Sequence, residues 1–254
     1  MWDKIRKNRI LKFVVPLAFW LTVWQLAALG VGKELLLPTP LSVCRELVSL
    51  GATADFWLSA GTTLLRIFAG AAIGTLIGVV LAILTRFTLG DWILSPLVKI
   101  IRATPVASFI IIVFLWLTRS IIPGFISALM VIPVIWGNVT KGISQTDRLL
   151  LEAADAYRFS FIKKIRLVYV PSVRPHFSSA LNTSLGLAWK AGVAAEVLTV
   201  PHHSVGTELY DAKLYLETPS LFAWTVVVVA LSFLLEYIVK LLFRIGQRRH
   251  QNEG

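Results

Sequence analysis

From Ile67 to Thr85 the chain carries no Asp, Glu, Lys or Arg. A helix crosses the hydrocarbon core of a bilayer in about 20 residues at about 1.5 Å each, so this run is long enough to span one. Four more stretches read the same way: Phe13–Leu29, Ala103–Thr118, Ser120–Thr140 and Thr218–Leu235. A further stretch from about Pro175 to Val200 is apolar except for Lys190 and Glu196. The expected fold class is therefore all-α, a polytopic membrane bundle of about six spans. Composition agrees, with 56% hydrophobic and 15% charged residues. A soluble domain carries about 25% charged residues, so a compact soluble enzyme is excluded.

The net charge of +11 does not call for nucleic acid. With the N-terminus inside, nineteen Lys and Arg fall in the four segments on that side, and four fall outside. That asymmetry is the positive-inside rule, and it places both termini in the cytoplasm of a cell-membrane protein. The cytoplasmic set includes Lys4, Arg6 and Lys7, and a region 86–102 read as a loop containing Arg86, Lys99 and Arg102. The first apolar run contains Pro16, exceeds the roughly 7–15 residues of a signal peptide and lacks an A-x-A site, so it reads as a retained anchor. Three segments follow: an anchor and external amphipathic stretch over 1–59, a transmembrane domain over 60–245 and a tail over 246–254. Gly70, Gly74 and Gly78 repeat at every fourth position, the spacing that lets a neighbouring helix approach closely.

Catalytic and nucleotide-binding signatures are missing. There is no G-x-x-x-x-G-K-[ST], no H-E-x-x-H and no G-x-S-x-G, so no catalytic, cofactor or metal residues are assigned. His202-His203 has no carboxylates at ligand spacing, and Cys44 is the single cysteine. The informative stretch is cytoplasmic, from Gly142 to Pro175. Ser144-Gln-Thr-Asp147 has capping-box spacing, and Arg148–Tyr157 is a good helix former in which the small Ala153 and Ala154 permit close docking.

Here the chain resembles a known family. Leu151-Glu-Ala-Ala154, a polar connector and then Val168-Tyr-Val-Pro-Ser-Val-Arg-Pro175 are similar to the EAA motif of binding-protein-dependent ABC importer permeases. Pro38-Thr-Pro40, Arg102-Ala-Thr-Pro105 and Gly186-Leu-Ala-Trp-Lys-Ala-Gly-Val-Ala-Ala-Glu196 resemble its nitrate, sulfonate and taurine subfamily. The resemblance implies a permease homodimer, two ATPase subunits that bind the ATP, and an external substrate-binding protein. It implies no cofactor for this chain. The solute would be a small sulfonate-, nitrate- or taurine-like anion or a vitamin precursor. Coupling to the ATPase would fall to Leu151, Glu152, Ala153, Ala154, Asp155, Arg158 and Phe159. Arg158 stands where the family usually has Gly, so either the turn is made differently or Arg158 touches the ATPase itself.

One further pattern is read from the residues. Asn182, Trp189 and Glu196 recur every seven positions, within about 20–40° of one line on a helix, with Lys190 beside them. Ionisable groups inside a membrane face the bundle interior or a wet path, so this stripe is a candidate lining of the substrate pathway. The alternative is a Glu196 buried as structural glue. A gradient-driven secondary transporter or channel is the competing functional class, but the inverted repeat typical of such transporters is not visible.

Overall fold

The computed structural model describes residues 9–87 and 90–251, and among these there is no strand. The side chains of 9–13, 86–87, 90–91 and 242–251 lie outside the described residues, as do Lys4, Arg6, Lys7 and the last three residues of the tail. Helix α1 (Arg9–Val31) precedes a short helix, α2 (Pro40–Gly51), and the long α3 (Ala54–Phe87). Then come α4 (Gly90–Ala103), α5 (Val106–Val113) and α6 (Ile122–Ser144). Two short helices, α7 (Arg148–Ala156) and α8 (Phe161–Lys164), lead through a π-helical turn at Ile165–Tyr169 into α9 (Val170–Thr199). Finally α10 (Val205–Leu214) and α11 (Thr218–Gln251) close the chain.

Four of these helices are long and apolar enough to cross a membrane, over Val14–Val31, Ala54–Thr85, Ile122–Ser144 and Thr218–Leu241. Helix α9 has the length, 30 residues or about 45 Å, but Arg174, Lys190 and Glu196 make it less apolar. The expected span at Ala103–Thr118 is not one continuous helix. Pro105 has no N–H to donate and disfavours helical backbone at Thr104, so the chain breaks there. Helices α4 and α5 meet at 103°, and together they make one bent crossing or a re-entrant element. The supposed loop 86–102 is helical from Gly90 onward.

Helices α3, α6 and α9 form the centre. The glycine repeat seats α3 directly on α6: a Cβ at Gly70 would lie 2.1 Å from the Gly124 carbonyl oxygen, and one at Gly74 would lie 2.6 Å from that of Ala128. Gly192 does the same for α9, where a Cβ would meet Ser127 Oγ at 2.6 Å. Ser127 Oγ reaches the Ala188 carbonyl at 3.0 Å and ties α6 to α9. Ile67, Val131, Ile135, Trp136, Ala188 and Trp189 fill the space between the three helices.

The segment after α1 packs against the rest of the protein. Thr39 caps α2 by accepting from Ser42 N at 3.2 Å, with Pro40 at the first helical position, where its missing N–H costs nothing. Val43 is buried, while Leu47 and Leu50 join Phe56, Val205 and Trp224 in a small second core. Leu41 and Val48 face away.

Candidate coupling surface and membrane pathway

Helix α7 starts differently from the expected capping box. Helix α6 runs on through Ser144, whose Oγ turns back to the Lys141 carbonyl, so Ser144 is not available as a cap. Asp147 takes that place and accepts from Leu149 N at 2.8 Å. Arg148 pairs with Glu152 one turn on, at 3.0 Å, on an exposed face. Ala154 packs inward and Leu151 is half-buried, whereas Glu152, Ala153 and Asp155 are exposed. Leu149, Leu150 and Tyr157 are exposed too, so this connector presents apolar side chains to its surroundings. Such a face suits docking by another protein.

Arg158 adopts the left-handed backbone that Gly would supply, with φ 55°. Its N–H bonds to the Asp155 carbonyl at 2.9 Å, and Phe159 N–H bonds to that of Ala154 at 2.9 Å. Those two bonds are the Schellman arrangement that stops a helix and satisfies its last carbonyls. The turn is therefore made as Gly would make it, at a cost of about 1–2 kcal/mol for a residue with a Cβ. Two contacts brace it: Lys164 pairs with Asp155, and the Lys163 ammonium sits 4.3 Å from the Phe159 ring centroid.

The seven-residue stripe on α9 does not stay on one face. Trp189 and Glu196 are buried within the protomer, whereas Asn182 and Lys190 are exposed. Beyond its first turns α9 exposes Ser179, Asn182, Thr183, Leu187, Lys190, Ala194 and Leu198, with Gly186 half-exposed, and Arg174 and Pro175 are exposed nearer its start. Each heptad drifts by about 20° on a straight helix, and here the drift carries the stripe across the edge of the buried face. The Trp189 indole N–H has no hydrogen-bond partner among the described residues.

Glu196 occupies a closed polar clasp. Thr63 Oγ1 donates to its two carboxylate oxygens at 2.8 and 3.1 Å, and Gly206 N–H adds a bond at 3.2 Å. Arg66 Nη1 stands 3.6 Å away. The same guanidinium donates to the carbonyls of His202 at 2.9 Å and His203 at 3.2 Å. Val205 N–H closes the ring by donating to Thr63 Oγ1 at 3.0 Å. The loop so held contains Val200 and His203, both at φ 48°. A β-branched residue there is strained and persists only where its surroundings over-determine it. Beside the clasp, Glu208 is half-buried against Ser59 Oγ at 3.4 Å. Burial pushes its carboxyl above the ordinary range, and nearby Asp211 and Asp55 push the same way.

Residues 74–248 match the family described as the inner-membrane component of binding-protein-dependent transport systems. The chain belongs to that family. The permease is 25% identical over 257 residues to the taurine transport system permease protein of Escherichia coli, covering 96% of this chain and 91% of that one. It is 29% identical over 230 residues to the nitrate import permease protein of Synechococcus elongatus, covering 83% and 80%. A solved amino acid ABC transporter chain matches at a TM-score of 0.61 and 18% identity, over 80% of this chain and 97% of that one, which supports the fold. The protein is thus the multi-pass membrane permease of an ABC transport system, the class that the EAA-like stretch implied.

Several residues of these sites were not among the sequence candidates. Thr63, Arg66 and Gly206 build the clasp, and Arg66 alone carried a signal, as a charge beside an apolar run. Arg102 is another. Its Nη2 donates to the Pro133 carbonyl at 2.6 Å, and Pro133 is halfway along α6. Gly137 leaves the space for it, since a Cβ there would stand 3.0 Å from that nitrogen. Arg102 sits in the last turn of α4, where the negative end of the helix dipole favours its charge by about 0.3–1 kcal/mol.

Proposed function

We propose that this permease works as a homodimer with two separate ATPase subunits that bind the ATP, and takes a small oxyanion-bearing solute from an external binding protein. The observation that carries the coupling part is α7. It is a capped, braced helix with Leu149, Leu150 and Tyr157 exposed and its small Ala153 facing outward. Leu151, Glu152, Ala153, Ala154, Asp155, Arg158 and Phe159 form the element that receives the ATPase, and both termini lie on that cytoplasmic side. The solute class is supported by two relatives named for taurine and nitrate, whose cargoes share a compact oxyanion group. The exposed face of α9, where Ser179, Asn182, Thr183 and Lys190 stand among Leu187, Ala194 and Leu198, supports a pathway between two copies, with Asn182 and Lys190 on it. Trp189 and Glu196 act behind that face, holding α9 in place. No cofactor is assigned to the permease itself.

The test is co-purification and coupled hydrolysis with the cognate ATPase. Glu152→Lys reverses a charge on the docking face, and Ala153→Trp adds bulk where approach must be close. Both variants are expected to insert normally and to lose at least tenfold in binding-protein-stimulated ATP hydrolysis. Parental stimulation in both would remove residues 147–164 from the coupling role.

A further inference from the structure

We infer that Arg102 and Lys190 are successive anion-attracting steps of the permease's pathway, with Arg102 at mid-membrane depth. This inference rests on the reading that solute passes along the exposed surface of the bundle. Depth follows from contacts. Arg102 is bonded to Pro133, the midpoint of α6. Lys190 is two residues beyond Ala188, whose carbonyl accepts from Ser127, and Ser127 lies six residues outward of Pro133 on α6. At about 1.5 Å per residue over these eight positions, Lys190 is about 12 Å closer to the external side than Arg102.

The balance of charge along the spans points to anions. Among the described residues, the carboxylates within the spanning helices are already paired, Glu196 with Arg66 and Glu236 with Lys240. Asp55 sits at the external start of α3. Arg102, Lys190 and also Lys99, one turn before Arg102 on α4, make no ion pair among the described residues, and all three are exposed. Among the described side chains, the uncompensated charge well inside the spans is therefore positive. Lined along a wet path with low-dielectric walls, charge of one sign raises the local concentration of the opposite sign. Arg102 suits this because the carbonyl of Pro133 fixes one nitrogen of its guanidinium and leaves the other donors free for a planar or tetrahedral oxyanion. The Gly137 notch holds it there.

The test reads the local potential without requiring the natural cargo. In a Cys44→Ser background, a single cysteine is placed at Ala103 or at Ala194, both exposed, beside Arg102 and one turn beyond Lys190 respectively. The permease–ATPase complex in proteoliposomes is then treated with sulfonatoethyl and trimethylammonioethyl methanethiosulfonate. Both cysteines are expected to react, with the anionic reagent favoured. Arg102→Gln is expected to lower the anion-to-cation rate ratio at position 103 by about tenfold, Arg102→Lys to preserve it, and Lys190→Gln to lower the ratio at 194. Arg102→Lys keeps the question decidable if the Gln variant fails to assemble. An unreactive cysteine at 103, or a ratio indifferent to Arg102 charge, overturns the inference by placing the guanidinium against lipid or a neutralising partner. Uptake of radiolabelled nitrate and taurine by the parental complex separates the two proposals. Anion preference at 103 without uptake of either solute leaves this site standing and removes nitrate and taurine as its cargo, while uptake with no preference refutes the site.

Discussion

Replacing Gly206 by Ala probes the clasp at the C-terminal end of α9. A Cβ at 206 would lie 2.2 Å from Glu196 Cβ, 2.6 Å from Val197 N and 2.7 Å from Glu196 C. Two of those three atoms are backbone and the third is bonded to a backbone carbon with little room to turn, so α10 must move away from α9. That movement breaks Gly206 N–H to Glu196 and weakens Val205 N–H to Thr63, now 3.2 and 3.0 Å. Overpacking costs about 1–3 kcal/mol, and a hydrogen bond to a charged group is worth about 1.5–3 kcal/mol. Helix propensity opposes them, since Ala is better than Gly inside a helix by about 0.5–1 kcal/mol. The net expectation is a loss of about 2–4 kcal/mol. Gly61→Ala is the control, because a Cβ there meets nothing within 4 Å and only the propensity gain applies. Denaturant midpoints of the purified transporter in detergent, measured for both variants, give the comparison. Gly206→Ala matching or exceeding the parental midpoint would refute the clasp.

Two other expectations are open to measurement. Arg158→Gly relieves a left-handed Cβ, so it should raise thermal stability by about 1 kcal/mol while leaving ATPase association intact; weaker association would mean that Arg158 itself touches the ATPase. The raised carboxyl of Glu208 sets a sign for pH dependence. Its folded form holds the proton more tightly than the unfolded chain does, so this group's contribution is fully present below pH 4.5 and is lost as pH rises through the window above. Glu208→Gln should flatten that part of the melting-midpoint profile, and an unchanged slope would assign it to another group.

Whatever depends on local sequence was readable without coordinates. Apolar run length defines a membrane helix because no water is available to solvate an unpaired backbone, so Ile67–Thr85 and Thr218–Leu235 announce themselves. The glycine repeat likewise points to close packing, and the structure adds that its partner is α6 at Gly124 and Ala128. Helix α7 was legible because its composition favours helix over a length suited to one. Its actual cap was not, because Ser144 and Asp147 compete for that position and only the extension of α6 settles which one serves. The bend at Pro105 sits between both cases. Proline marks a possible break, but whether two apolar segments stay collinear depends on what they pack against.

The clasp and the faces of α9 belong to tertiary structure alone. Thr63 and Glu196 are separated by 133 positions, and no local pattern pairs them. A seven-residue spacing constrains angle only to within tens of degrees, which cannot tell a buried Trp189 from an exposed Asn182 at the boundary of a face. Arg102 makes the same point from the other direction. By sequence it counts as a loop charge, and only the structure shows it at the end of α4, bonded to the Pro133 carbonyl halfway along α6. Chain sequence thus determined which segments must leave water. Packing between distant segments decided which of their few charges are neutralised and which stand open.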